Sequence, residues 1–115
     1  MTESPPKPKD VLALAGLKPK KSWGQNFLTD QNILAIIAGH ALNKREIRVV
    51  ELGPGTGALT WHLLKQGGQV IAIERDREIA PVLRQVFEWA DGLEVREEDA
   101  AKLDYAALRE EIGHP

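Results

Sequence analysis

The chain has 115 residues, 43% of them hydrophobic and 28% charged, with a formal net charge of −2 and no cysteine; that suffices for one compact domain and excludes disulfides and thiolate metal sites. The longest uninterrupted apolar run, Ile33 to Ala38, is too short to span a bilayer, and residues 1–9 hold no apolar segment that would make them a secretory signal. A cytoplasmic protein without membrane partners is expected.

Residues 1–9, with Pro5, Pro6 and Pro8, read as a disordered leader. The charge is uneven. Residues 1–23 carry five lysines against Glu3 and Asp10, whereas residues 88–111 carry nine acids against Arg96, Lys102 and Arg109. A basic N-terminal stretch suits RNA phosphate and the acidic end repels it, although two solvated tails explain the same pattern. Asp10 can cap a short helix over Val11 to Ala15, with Gly16 as its stop. An irregular stretch from Lys18 to Leu28 follows. Thr29 or Asp30 then opens a helix from Gln31 to Leu42, whose Ile33, Ile36, Ile37 and Ala41 form an apolar face, and Asn43 ends it.

From Arg48 the hydrophobic period changes. Arg48 to Leu52 reads as a strand, Ala58 to Gln66 as a helix with Leu59, Leu63 and Leu64 inward, and Gln69 to Ile73 as a second strand closed by Glu74. Arg77 to Ala90 is the next helix, with Pro81 required near its first turn. Leu93 to Arg96 is a third strand and Tyr105 to Ile112 a last helix. This alternation predicts an α/β fold with three parallel strands and flanking helices, joined as two βαβ units.

The segment Glu51-Leu-Gly-Pro-Gly-Thr-Gly57 ends the first strand and opens a helix, which is where doubly wound sheets bind nucleotides. Its spacing is Gly-x-Gly-x-Gly, not the Gly-x-Gly-x-x-Gly of pyrophosphate binders. Glu51 places a carboxylate where a diphosphate would sit, but suits a ligand with a sulfonium and an amino group. S-adenosylmethionine is therefore favoured over a dinucleotide, and a nucleotide-dependent oxidoreductase becomes the weaker reading. Glu74, at the end of the second strand, is placed to accept hydrogen bonds from ribose hydroxyls. A carboxylate past the third strand can accept from an adenine amine, but Glu97, Glu98 and Asp99 all compete for that role. His40, His62 and His114 lack metal-ligand or triad spacing and read as surface or boundary residues, while Trp61 and Trp89 read as helix packing.

Taken together, Lys21-Ser-Trp-Gly-Gln-Asn-Phe-Leu28, Val50-Glu-Leu-Gly-Pro-Gly-Thr-Gly-Ala-Leu-Thr60, Ile73-Glu-Arg-Asp76 and Asp99-Ala100 resemble, in order and spacing, the ribosomal RNA adenine N6-dimethyltransferases. Trp23 stands where that family usually has a smaller apolar residue. The resemblance implies a Rossmann-like class I S-adenosylmethionine methyltransferase fold, here partial, spanning residues 10–115. It implies dimethylation of adjacent adenines in small-subunit ribosomal RNA, with the small ribosomal subunit as partner. By the same resemblance Asn26 and Leu28 contact the cofactor from the N-terminal loop, and Gly53 and Gly55 cradle its methionine and ribose portions. Glu74 takes the ribose, and Asp99, of the three competing acids, reads the adenine amine. The family's catalytic motif is Asn, an apolar residue, Pro and an aromatic. No such tetrapeptide occurs within these residues, so no catalytic residue is assigned, and a fragment, inactive in isolation, is expected. The first strand would then be an open sheet edge, predicting self-association or pairing with a missing C-terminal half. The alternative is a non-catalytic module that keeps cofactor or RNA binding.

Overall fold

A computed structural model describes residues 4–17, 30–42 and 47–113. Asn26 and Leu28 lie outside the described residues, as do Asn43, His114 and the whole stretch from Lys18 to Leu28. In chain order the elements are α1 (Pro8–Leu14), α2 (Gln31–Ala41), β1 (Arg48–Leu52), α3 (Ala58–Lys65), β2 (Gln69–Glu74), α4 (Ile79–Val86), β3 (Leu93–Glu97), a 3-10 turn (Ala100–Lys102) and α5 (Tyr105–Glu111). No helix among the described residues is long and apolar enough to cross a membrane.

The strands form one parallel sheet in the order β1-β2-β3, with Glu51 opposite Ala72 and Glu74 opposite Glu97. Parallel pairing requires a crossover between successive strands, and α3 and α4 supply the two crossovers. Side chains alternate across a strand. One face therefore carries Val49, Val70, Ala72, Leu93 and Val95, all packed in two adjoining apolar clusters with α1 to α4. Glu51 and Glu74 belong to this face by parity and mark its C-terminal end. The opposite face carries the half-buried Val50 and Ile71, and Arg96, whose guanidinium pairs with Glu94 and with Glu111 of α5.

Helix ends differ from the sequence expectation where side-chain caps decide them. The start of α2 is as expected: Asp30 caps it by accepting from the N–H groups of Asn32 at 2.9 Å and Ile33 at 3.2 Å. Asp10 does not cap α1. The helix starts three residues before the expected Val11, at Pro8, whose ring pre-sets the first-turn φ, and so begins inside the stretch read as a leader. The predicted helix from Arg77 to Ala90 shortens to Ile79–Val86, because Asp76 accepts from Glu78 and Ile79 N–H and fixes the start there. Pro81 falls in its first turn, as the sequence requires.

The larger correction concerns α2. Its buried residues are Leu34 and Ala38, while Ile33, Ile36 and Ile37 are 45%, 60% and 40% exposed. Apolar residues fill almost the whole circumference of this helix, so its sequence does not single out the stripe that meets α3. Of the histidines, His40 is exposed as expected, and only His62 needs a similar correction. His62 is buried, with its Nε2 2.7 Å from Gln31 Oε1, and joins α3 to α2; burial lowers its pKa. Trp61 and Trp89 do pack against the cluster formed by α1, α4 and β3.

Candidate functional site: an acidic cleft at the carboxyl end of the sheet

Where β1 ends, the chain must leave the sheet and turn into α3 within a few residues. Glycine makes that turn possible: Gly53, Gly55 and Gly57 all hold positive φ, at 65°, 58° and 89°. Gly53 N–H donates to Ile73 C=O at 2.9 Å, which extends the β1–β2 ladder one step and pins the start of the loop. Gly57 N–H closes a turn onto Pro54 C=O at 3.0 Å, and Gly57 C=O accepts from Trp61 N–H at 2.9 Å to begin α3.

Two carboxylates meet this loop from the sheet. Glu74 is 8% exposed and accepts from Gly55 N–H at 3.2 Å through Oε1 and from Asp76 N–H at 3.0 Å through Oε2. Two backbone donors thus fix the carboxylate, and each oxygen keeps a lone pair for a ligand. Glu51 is 9% exposed and accepts from the Thr60 hydroxyl at 2.5 Å. Removal from water pushes its pKa up to about 7; the Thr60 hydrogen bond opposes that rise and the neighbouring Glu74 charge adds to it.

The cleft between these groups measures about 710 Å³, within the usual range for small-molecule sites. Gly53, Gly55 and Glu74, all expected from the sequence, line it together with Glu51. Asp99 stands apart. It follows β3 at the same end of the sheet, but it is not among the residues lining the cleft, and its Oδ1 accepts from Ala101 N–H at 2.9 Å to cap the 3-10 turn. Among the described residues its second oxygen takes no bond.

Sequence reasoning missed three contributors. Leu12 brings α1 over the cleft, Asp76 lines it two residues past Glu74, and Thr60 fixes Glu51 from α3. Thr60 carries a signal that can be read without coordinates. A hydroxyl one turn into the helix that follows an acidic strand end lies within reach of that acid. The position of α1 rests on tertiary packing and leaves no such trace.

A family model described as ribosomal RNA adenine dimethylase matches residues 16–114. The chain is 46% identical, over all its length and 40% of the relative's, to the ribosomal RNA small subunit methyltransferase A of Anaeromyxobacter dehalogenans (strain 2CP-C). It is 43% identical to the protein of that name from Magnetococcus marinus, over 91% of this chain and 38% of the relative. It therefore spans about two fifths of the length of these relatives. Among solved structures, the 23S rRNA methyltransferase ErmE superposes with a TM-score of 0.62 at 35% identity, over 68% of this chain and 32% of that one. The N-terminal domain of EvdMO1 with SAH bound superposes with a TM-score of 0.65 at 22% identity, covering 80% of this chain and 39% of that one, a likeness of fold alone.

Proposed function

Because the chain belongs to the ribosomal RNA adenine dimethylase family, we propose that it carries the S-adenosylmethionine-binding part of an enzyme that methylates adenine N6 in small-subunit ribosomal RNA. The substrate is then ribosomal RNA, adjacent adenines are dimethylated, and the setting is the cytoplasm. The observation that carries this reading is the pair of buried carboxylates, Glu51 and Glu74, facing one cleft at a Gly-x-Gly-x-Gly turn. Two acids so placed repel a diphosphate and favour a ligand with cationic groups and ribose hydroxyls.

In this assignment Glu74 receives the ribose hydroxyls on the lone pairs left by Gly55 and Asp76. Gly53 and Gly55 let the backbone approach the ligand, since no Cβ intervenes. Asp99 receives the adenine amine on its second oxygen, and Asn26 and Leu28 are the further cofactor contacts that the family resemblance implies. The bound cofactor supplies an electrophilic methyl group on sulfur. What these residues do is bind and orient it. The edge strand β1, with Leu52 half exposed, offers a sheet margin for pairing with a second chain or with a C-terminal half.

The test is calorimetric titration with S-adenosylhomocysteine, wild type beside Glu74→Ala. Each hydrogen bond to a charged group is worth about 1.5–3 kcal/mol. The variant should therefore bind at least ten-fold more weakly. Equal affinity for both proteins would remove Glu74 from the site, and binding of NADH in place of S-adenosylhomocysteine would overturn the methyltransferase reading.

A further inference from the structure

Glu51 is not needed to hold a ribose, yet it is nearly as buried as Glu74, shares the same face of the sheet, and lines the same cleft. Its carboxylate is held from α3 by the Thr60 hydroxyl at 2.5 Å, and Thr60 itself is 1% exposed. The charged side chains lining the cleft among the described residues are Glu51, Glu74, Arg75 and Asp76. Leu12 and Pro8 of α1, Leu34 and Ile37 of α2, and Ala58 and Leu59 of α3 contribute no charge. A cation placed here meets two carboxylates in a poorly solvated wall.

The ligand of the proposed reaction changes charge in turnover. S-adenosylmethionine carries a sulfonium, an ammonium and a carboxylate; S-adenosylhomocysteine has lost the sulfonium charge. We propose that Glu51 is a specificity-determining residue of this cleft, exchanging a proton with solvent so that the site favours the cationic cofactor and releases the uncharged thioether product. The proposal rests on the S-adenosylmethionine reading above.

When the sulfonium enters, the Glu51 O–H bond breaks, the proton leaves to solvent and the electron pair stays on the carboxylate. Methyl transfer breaks the S–CH3 bond and forms the N6–CH3 bond. The N6 lone pair makes the new bond, sulfur keeps the S–C electron pair, and the proton lost from N6 leaves to solvent. With the sulfonium charge gone and Arg75 exposed to solvent, Glu51 sits beside Glu74 with one positive charge fewer and takes a proton back from solvent. The Glu51 carboxyl, pushed up to about 7 by burial with Glu74 adding to the rise, is poised to do this near neutral pH. Thr60 acts as a positioning residue, because its hydroxyl donates to the ionised form and stabilises it.

Calorimetry of S-adenosylmethionine and S-adenosylhomocysteine binding to the full chain tests this, in two buffers of different ionisation enthalpy between pH 6 and 8.5. An opposite charge nearby lowers a carboxylate pKa by roughly one unit or more. S-adenosylmethionine should then release roughly half a proton near pH 6.5 and S-adenosylhomocysteine almost none. The affinity ratio of cofactor to product should rise roughly five- to ten-fold across that range. Glu51→Gln should flatten the ratio, and Thr60→Val should move its midpoint to higher pH. A wild-type ratio that does not change with pH, with equal proton release for both ligands, overturns the proposal and leaves the cofactor site standing. An unmoved midpoint in Thr60→Val removes Thr60 from it. If the folded chain binds neither ligand, the cofactor reading falls and this inference with it.

Discussion

Gly53 and Gly57 both hold left-handed backbone, yet a methyl group added to each would meet different surroundings. At Gly57 a Cβ would lie 2.6 Å from Phe87 Cε2 and 2.9 Å from Cζ, against a ring that is 2% exposed; at Gly53 nothing lies within 4 Å. Gly57→Ala should therefore combine backbone strain with overpacking and destabilise by about 2–4 kcal/mol. Gly53→Ala should lose only about 1–2 kcal/mol. Urea denaturation of both variants checks this, and equal losses would contradict the packing argument. Glu51 gives a second prediction, for the ligand-free chain. It ionises near 4.5 when unfolded and near 7 when folded. Between those values the folded state holds a proton that the unfolded state lacks, so stability falls as pH rises. Relative to Glu51→Gln, the wild type should lose about 3 kcal/mol from pH 4.5 to pH 7 and nothing further above it. Glu111, lowered by Arg96, acts in the opposite sense in both proteins and cancels from the difference. A pH-independent difference in denaturation midpoint would show that Glu51 is not desolvated. At this scale the sequence was legible where residue type and strand position coincide, as at Gly53, Gly55 and Glu74. Thr60 and the cap made by Asp99 were not, because each depends on where a side chain points.

Among the elements, strands were read more accurately than helices. Each strand ends within one residue of its expected end, since a glycine or an acid stops the apolar run. The α2 helix shows why helices were harder. With Ile33, Leu34, Ile36 and Ile37 together, its sequence offers two apolar stripes, and the contact with α3 selects Leu34 and Ala38. The energetic consequence is direct. Leu34→Ala removes a side chain that is 3% exposed and should destabilise by about 2–5 kcal/mol, whereas Ile36→Glu, at a position 60% exposed, should change stability by less than about 0.5 kcal/mol. Thermal denaturation of the two variants separates the stripes, and the reverse order of effects would restore the face read from the sequence.

For the molecule as a whole, the parallel sheet was legible in the alternation of apolar period, and the family resemblance was legible in the glycine loop. The part of the cleft wall supplied by α1 was not, because it depends on packing between residues far apart in the chain. The proposed pairing engages the β1 edge. Sedimentation of the wild type should show association across the micromolar range, and Leu52→Lys, a charge on a half-exposed edge residue, should shift it toward monomer. A wild type that sediments as a folded monomer throughout removes the pairing proposal. The strand order also bears on how the sheet is built during synthesis. Because β1, β2 and β3 lie side by side in the order in which they leave the ribosome, each new strand joins the one just before it across a short helical connection, residues 53–68 and then residues 75–92. Loop-closure entropy stays small at that length. Among the three described strands none is separated from its predecessor by a later one. The carboxylate of Glu74 can reach the glycine loop as soon as β2 has emerged, so the cleft is assembled from its first strand outward, in the direction of translation.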